Sequence, residues 1–211
     1  MSFQQIPNSG SDGRFLDNFK GRMGGGGVRA NLFECEIAFP TIILPNGVTE
    51  TNITDKIKFL VKASSLPAST ISPISVPFRG RELKIAGDRT FEPWSVTVIN
   101  DTDFSIRGSF ERWINYLSRS LDNAGEVNPS SYQRDAWVYQ LGRAAMNNAV
   151  ESSDTIPVLR AYHMYGVFPT NVSAIAVSYA DNSSIEEFTV DLQVQYWEAY
   201  NGNKGIEVQW S

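Results

Sequence analysis

The sequence predicts a mainly β protein with one principal α-helix. Short runs of alternating apolar and polar residues recur at even spacing, separated by polar turns. A single stretch changes to a strong helical period. No internal repeat and no linker interrupts residues 31–199, so the runs belong to one domain. About eight strands are expected, and their regularity favours a closed or nearly closed barrel over an open sheet.

The stretch from Ala86 to Asp101 organises the chain. A tight turn is expected at Gly87-Asp88, then a strand with Trp94, Val96 and Val98 on one face and Ser95, Thr97 and Ile99 on the other. Asn100-Asp101 breaks it. Ile106, Phe110, Trp113, Ile114, Leu117 and Leu121 then follow at spacings of three and four, the stripe of an amphipathic helix. Asp101, Thr102 and Asp103 offer N-cap oxygens, and Asn123 with Gly125 offers a stop.

Residues 1–28 are a Gly-, Ser- and Asn-rich arm. Phe15, Leu16, Phe19 and Met23 share one face of a short helix, followed by Gly24 to Gly27 as a tether. The arm either docks that face on another subunit or frays. The body, 29–200, opens with Phe33, Cys35, Ile37 and Phe39 alternating along a strand. Residues 40–55 read as a long hairpin connection with a turn at Pro45-Asn46-Gly47. Ile57, Phe59, Val61 and Ala63 make a second strand, ended by Pro67.

Residues 66–81 hold Pro67, Pro73 and Pro77 among Ile71, Ile74, Val76 and Phe78. Prolines at this density do not sit in a central strand, so the segment is an extended edge or projecting loop whose apolar side chains need cover. Arg79, Arg81, Lys84 and Arg89 form a basic cluster there, either a solvated hairpin or a contact surface.

After the helix, Trp137, Tyr139 and Leu141 share one side of a strand, and residues 143–149 are a short helix or a wide loop. Ile156 to Tyr165 is extended, Gly166 to Asn171 turns the chain, and Ala174 to Tyr179 is a strand. The last strand alternates Phe188, Val190, Leu192, Val194 and Tyr196 against Glu187, Thr189, Asp191, Gln193 and Gln195. The tail, 201–211, is polar but closes with Val208 and Trp210, a second candidate docking arm.

Composition narrows function by exclusion. The net charge of −5 opposes a protein whose main task is gripping nucleic acid. The N-terminus lacks a secretory pattern, and no apolar run reaches the roughly 20 residues of a membrane span. The chain has one Cys and one His, Cys35 and His163, so neither a disulfide nor a zinc site of the usual kinds is expected. Cys35 reads as a small buried hydrophobe and His163 as structural, and nothing supports pairing the two as a nucleophile and base. Glu92, Glu186 and Glu187 are the weak candidates for a two-carboxylate hydrolase. A β-sandwich binding module would need exposed aromatics, but Trp94, Trp113 and Trp137 alternate as core residues. No enzyme activity and no cofactor is expected.

Five separated stretches carry a resemblance. They are Arg29 to Phe33, Lys62 to Pro67, Ile85 to Phe91 with Trp94 to Asp101, Gly166 to Val172, and Phe188 to Glu198. In this order they resemble the tail tube proteins of contractile-tailed bacteriophages, relatives of type VI secretion tubes. The residues carrying the match are Gly87, Asp88, Arg89, Trp94, Pro169, Asn171, Tyr196 and Trp197. The resemblance implies a β-barrel or sandwich of tail-tube type whose sheet continues between subunits. It implies homohexameric rings stacked into a tube, with tail sheath outside, and tape measure protein and DNA passing inside without specific binding. Baseplate and tail-terminator proteins would close the ends, the virion tail would be the location, and assembly would take place in the host cytoplasm without a membrane. A tube of a secretion or tailocin-like injection system is the alternative. On this reading Phe15, Leu16, Phe19, Ile71, Ile74, Val76, Phe78, Arg79 and Arg81 contact other subunits or rings, and Asp191 and Gln193 face the bore.

Overall fold

The computed structural model describes residues 19, 21–23, 27–44, 49–142, 158–180 and 184–201. The chain divides into two units, 1–32 and 33–211. In the first, the Met23 amide donates to the Phe19 carbonyl at 3.0 Å, one helical turn. Phe19 is exposed there. Phe15, Leu16, the first glycines of the tether and the tail beyond Asn201 lie outside the described residues, as do the turn at Pro45-Asn46-Gly47 and residues 143–149.

Among the described residues the second unit holds nine strands and three α-helices. In order they are β1 (Phe33–Ile37), a 3-10 turn (Thr41–Ile43), α1 (Glu50–Leu60), β2 (Val61–Ser64), β3 (Ser69–Phe78), β4 (Arg81–Phe91), β5 (Trp94–Ile99), α2 (Ser105–Leu117), α3 (Pro129–Tyr132), β6 (Arg134–Leu141), β7 (Val158–Val172), β8 (Glu187–Gln193) and β9 (Tyr196–Asn201).

The expected mainly β class with α2 as its largest helix holds, but closure into a barrel does not. The main sheet is open, in the order β1-β6-β7-β8-β5-β2, with β9 added to β7. Every pairing is antiparallel. β7 belongs to both halves of this sheet: its residues 160–165 pair with β9, and its residues 168–172 pair with β8. The expected turn at Gly166 is instead a bend inside this strand. Gly166 has φ +62°, and a Cβ there would stand 2.6 Å from Gln195 Cγ. Glycine is needed on both counts.

The last strand is likewise not continuous. It breaks at Val194-Gln195, so that β8 and β9 pair with successive parts of β7. Tyr196 is consequently exposed rather than continuing the apolar face. Residues 174–179 form no strand and connect β7 to β8.

The second expected strand is mostly helix. Thr49 Oγ1 accepts from the Asn52 amide and caps α1, and Ile53, Ile57 and Leu60 follow at helical spacing toward the core. Phe59, expected to face the same way as Ile57, points out and is 86% exposed. α2 buries Ile106, Phe110 and Trp113, with Phe39 packed on both rings at centroid distances of 5.0 and 5.5 Å. Asp101 serves the helix start, accepting from the Ser105 amide and hydroxyl. α2 ends at Leu117, about one turn before Leu121, the last residue of the expected stripe, so Leu121 is outside it and exposed.

The core joins these rings to Cys35, Ile37, Val96, Val98, Ala136, Val138, Met164, Phe188, Val190 and Leu192. Trp94 is fully buried, and its Nε1 donates to Ser64 Oγ and the Ser65 carbonyl, each at 2.9 Å. Trp137 departs from expectation. It lies on the opposite face of β6 from Ala136 and Val138, stacked on His163 at 3.9 Å.

Candidate assembly surfaces

The β3–β4 hairpin is exposed along nearly its whole length. All of β3 except Ser69 and all of β4 except Gly87 and Phe91 are exposed. Its turn is Arg79-Gly80, with φ of 46° and 82°, the doubly positive geometry that suits the twist of a two-residue hairpin. The Arg79 guanidinium lies over the Phe78 ring at 5.4 Å. Gly87-Asp88 is therefore no turn. It is a β-bulge, where Gly87 and Asp88 oppose Ser72 between the pairs Ile71↔Arg89 and Pro73↔Ala86.

The register sorts the side chains. Directly paired residues share a face, so Ile74 with Ile85, Val76 with Leu83 and Phe78 with Arg81 form one row, apolar except at its tip. Pro73, Ser75, Lys84, Pro77 and Glu82 fall on the other face. Ile71 lies beyond the bulge, one position out of step with Ile74, and does not join the apolar row. Leu83 and Ile85, which are not among the expected contact residues, complete that row. Their alternation across from Val76 and Ile74 was the available signal.

The hairpin base is anchored. Trp197 Nε1 donates to the Ala68 carbonyl at 3.2 Å, and its ring meets Phe91 edge-on at 6.4 Å. Tyr196 stacks on Tyr165 at 4.5 Å. Beside these residues a cleft of about 400 Å³ is lined by Ser69, Arg89, Phe91 and Tyr196 to Ala199.

The second surface is the outer face of β5 and β8. Ser95 Oγ donates to Asp191 Oδ1 at 2.5 Å, and Asn171 Nδ2 donates to Asp191 Oδ2 at 3.0 Å. Those two donors hold the Asp191 carboxyl below the usual carboxylate range. Thr97 and Thr189 hydroxyls lie 3.3 Å apart in the same row, and Lys62 Nζ meets Glu187 Oε1 at 2.6 Å. Gln193 ends the row, half-buried and paired with Phe168. Pro169, opposite Leu192, is buried in the same pairing. Asp191 and Gln193 thus share a polar sheet face, whereas Ile74 to Phe78 belong to a separate apolar ribbon.

The residues weighed for chemistry do not converge. Cys35 lies on the core side, and burial pushes its thiol up to about 12, away from nucleophile chemistry. His163 is on the outer face, with Nε2 3.2 Å from Asp135 Oδ2. Glu92 bonds Thr70 at the hairpin base, while Glu186 and Glu187 stand at the far end of β5 and β8. Among the described residues no group of three or more His, Cys, Asp or Glu is placed to hold a metal ion. No described helix is long and apolar enough to cross a membrane.

Residues 28–200 match the family model described as phage tail tube protein. The tail tube protein gp19 of Enterobacteria phage T4 is 30% identical over 171 residues, covering 81% of this chain and 91% of the relative. The tail tube protein of Serratia phage KSP90 is 28% identical over 180 residues, covering 84% and 93%. In fold, the chain is similar to a protein of the anti-feeding prophage baseplate, solved by cryo-EM with sixfold symmetrisation. That likeness has a TM-score of 0.54 at 11% identity and covers 82% of this chain and 95% of that one.

Proposed function

Because this chain belongs to the phage tail tube protein family, we propose that six copies form a ring and that rings stack into a conduit for the phage genome. The chain is a structural tail tube protein of contractile tails, a component of the virion tail and not an enzyme. The observation that carries the finer reading is the β3–β4 ribbon. A row of five apolar side chains is exposed on the single chain, and further copies of the chain are the natural cover. Sixfold symmetry in an assembly containing the same fold supports the ring size.

In this reading the hairpin reaches the adjacent ring, and Ile74, Val76, Phe78, Leu83 and Ile85 are its apolar contacts. Arg79 and Arg81 flank them, and Ile71 contributes from the other face. The arm carrying Phe15, Leu16 and Phe19 docks on another subunit. The family match over 28–200 supports 29–200 as the ring-forming body, with 1–28 and 201–211 as its peripheral arms. The polar face with Asp191 and Gln193 lines the bore, where carboxylates repel phosphates and let DNA and the tape measure protein pass without specific binding. Sheath surrounds the tube, baseplate and terminator proteins close its ends, and subunits assemble in the host cytoplasm. A tube of an injection system is the second reading, supported by the fold likeness to a sheath-tube complex of an extracellular contractile injection system, with a TM-score of 0.50 at 13% identity. The sequence relatives reported above are phage tail tube proteins, and they support the first.

Negative-stain electron microscopy of the purified protein tests the assembly. Tubes or six-membered rings are expected, and a persistent monomer at high concentration overturns the proposal. Deleting residues 71–81 should leave soluble rings or monomers, and normal tubes from that variant would refute the hairpin's role. Asp191→Lys should slow genome ejection, and unchanged kinetics at low salt would remove Asp191 from the bore.

A further inference from the structure

The two ends of the β5–β8 pair differ in the side chains they expose. The hairpin leaves the fold at the Trp94↔Leu192 end. At the opposite end, Ile99↔Glu187, a second set of large apolar side chains faces solvent. Phe59, two residues before Val61↔Val98, is 86% exposed, and Ile185, just before Glu186, is 70% exposed. Phe104, at the start of α2, is exposed as well. The two ends are separated by five residue steps of antiparallel strand, about 17 Å.

Charge divides the same way. Residues 69–91 carry Arg79, Arg81, Lys84 and Arg89 against Glu82 and Asp88, a net +2 in a chain whose net charge is −5. The opposite end carries Asp101, Asp103, Glu111, Glu186 and Glu187 against Lys56, Lys62 and Arg107. Both lysines are already engaged, Lys56 with Asp101 and Lys62 with Glu187. Asp103 is 76% exposed and Glu186 is exposed. One end is therefore apolar and basic, the other apolar and acidic. The two surfaces are complementary to each other in charge, which favours a heterologous contact that repeats without closing.

We propose that the surface formed by Phe59, Phe104 and Ile185, with Asp103 and Glu186 at its margin, is the acceptor for the β3–β4 ribbon of the next copy of this chain along the tube. The apolar row from Ile74 to Phe78 covers the apolar acceptor, and Arg81, at the tip of that row, meets the carboxylates together with Arg79 in the turn. This rests on the tube reading above and names the partner surface that reading leaves open.

Disulfide trapping tests it. The sole native cysteine, Cys35, is fully buried, so engineered cysteines report alone. Val76→Cys and Ile185→Cys both replace exposed side chains, and each single variant serves as the folding and assembly control. The double variant, assembled and then oxidised, should give a ladder on a non-reducing gel that extends past six copies. Phe59→Asp combined with Ile185→Asp should cut the fraction of protein in tubes at least tenfold while circular dichroism stays unchanged. Addition of 1 M salt should weaken wild-type stacking in the same direction. Wild-type tubes with no ladder, a ladder that stops at a dimer, or tubes of normal yield from the double aspartate variant would overturn the acceptor while leaving the tube reading intact. A wild-type chain that never forms tubes would overturn the tube reading itself.

Discussion

Ser72 and Gly87 meet across the hairpin bulge so closely that the Ser72 carbonyl oxygen occupies the space a Cβ on Gly87 would need, and Ile74 Cγ1 stands only 3.0 Å from the same point. Gly87→Ala should therefore destabilise the hairpin locally by about 1–3 kcal/mol, since backbone as well as side chain must shift. Hydrogen exchange checks this. Amides of β3 and β4 should exchange faster in the variant while those of β5 and β8 keep their protection. Equal hairpin exchange in the two proteins would show that the bulge tolerates a methyl group.

Trp94 ties the start of β5 to the end of β2 through two hydrogen bonds from one indole nitrogen. Trp94→Phe keeps most of the apolar volume but leaves Ser64 Oγ and the Ser65 carbonyl without that donor, at a cost of about 1–3 kcal/mol. Trp94→Ala adds a cavity and should cost about 3–5 kcal/mol. Urea unfolding of the two variants separates the donor from the volume.

Asp191 links stability to acid. Its folded carboxyl sits below its ordinary value because Ser95 and Asn171 donate to the charged form. A depressed carboxylate contributes stability above its unfolded pKa of about 3.9, and that contribution fades as pH falls through the folded value. Asp191→Asn should thus be less stable than wild type near pH 6, and the gap should narrow toward pH 3. Urea titrations at stepped pH give the difference directly, and a constant gap would remove the linkage.

Cys35 should be silent toward thiol reagents in the native protein. It is fully buried, and burial pushes its thiol up to about 12. Ellman's reagent at pH 8 should report less than one-tenth of the reaction seen after unfolding in guanidinium. Rapid labelling of the folded chain would mean that β1 opens readily.

Much of this architecture was legible because one face of each element is simply apolar. Trp94, Val96 and Val98 alternate into the core, and Ile106, Phe110 and Trp113 repeat with the helical period. The errors came where two periods fit the same letters. Ile57, Phe59, Val61 and Ala63 alternate perfectly on paper, yet the Thr49 cap and Ile53 make residues 50–60 a helix that turns Phe59 outward. Gly166 and Gly87 both read as turns, because glycine signals positive φ or close approach without saying which element supplies the need. Gly166 answers a bend in a long strand, and Gly87 a bulge. For the candidate surfaces, proline content marked the hairpin as peripheral, but only the pairing register shows that Leu83 and Ile85 belong to its apolar row and that Ile71 does not.

The bend at Gly166 leaves a single unbroken backbone serving two sheet halves, paired to β9 before it and to β8 after it. Pull or push applied to one half reaches the other through covalent bonds and not through a seam of hydrogen bonds that could shear. In the tube proposed above, a load on one half of the sheet would pass to the other along this strand.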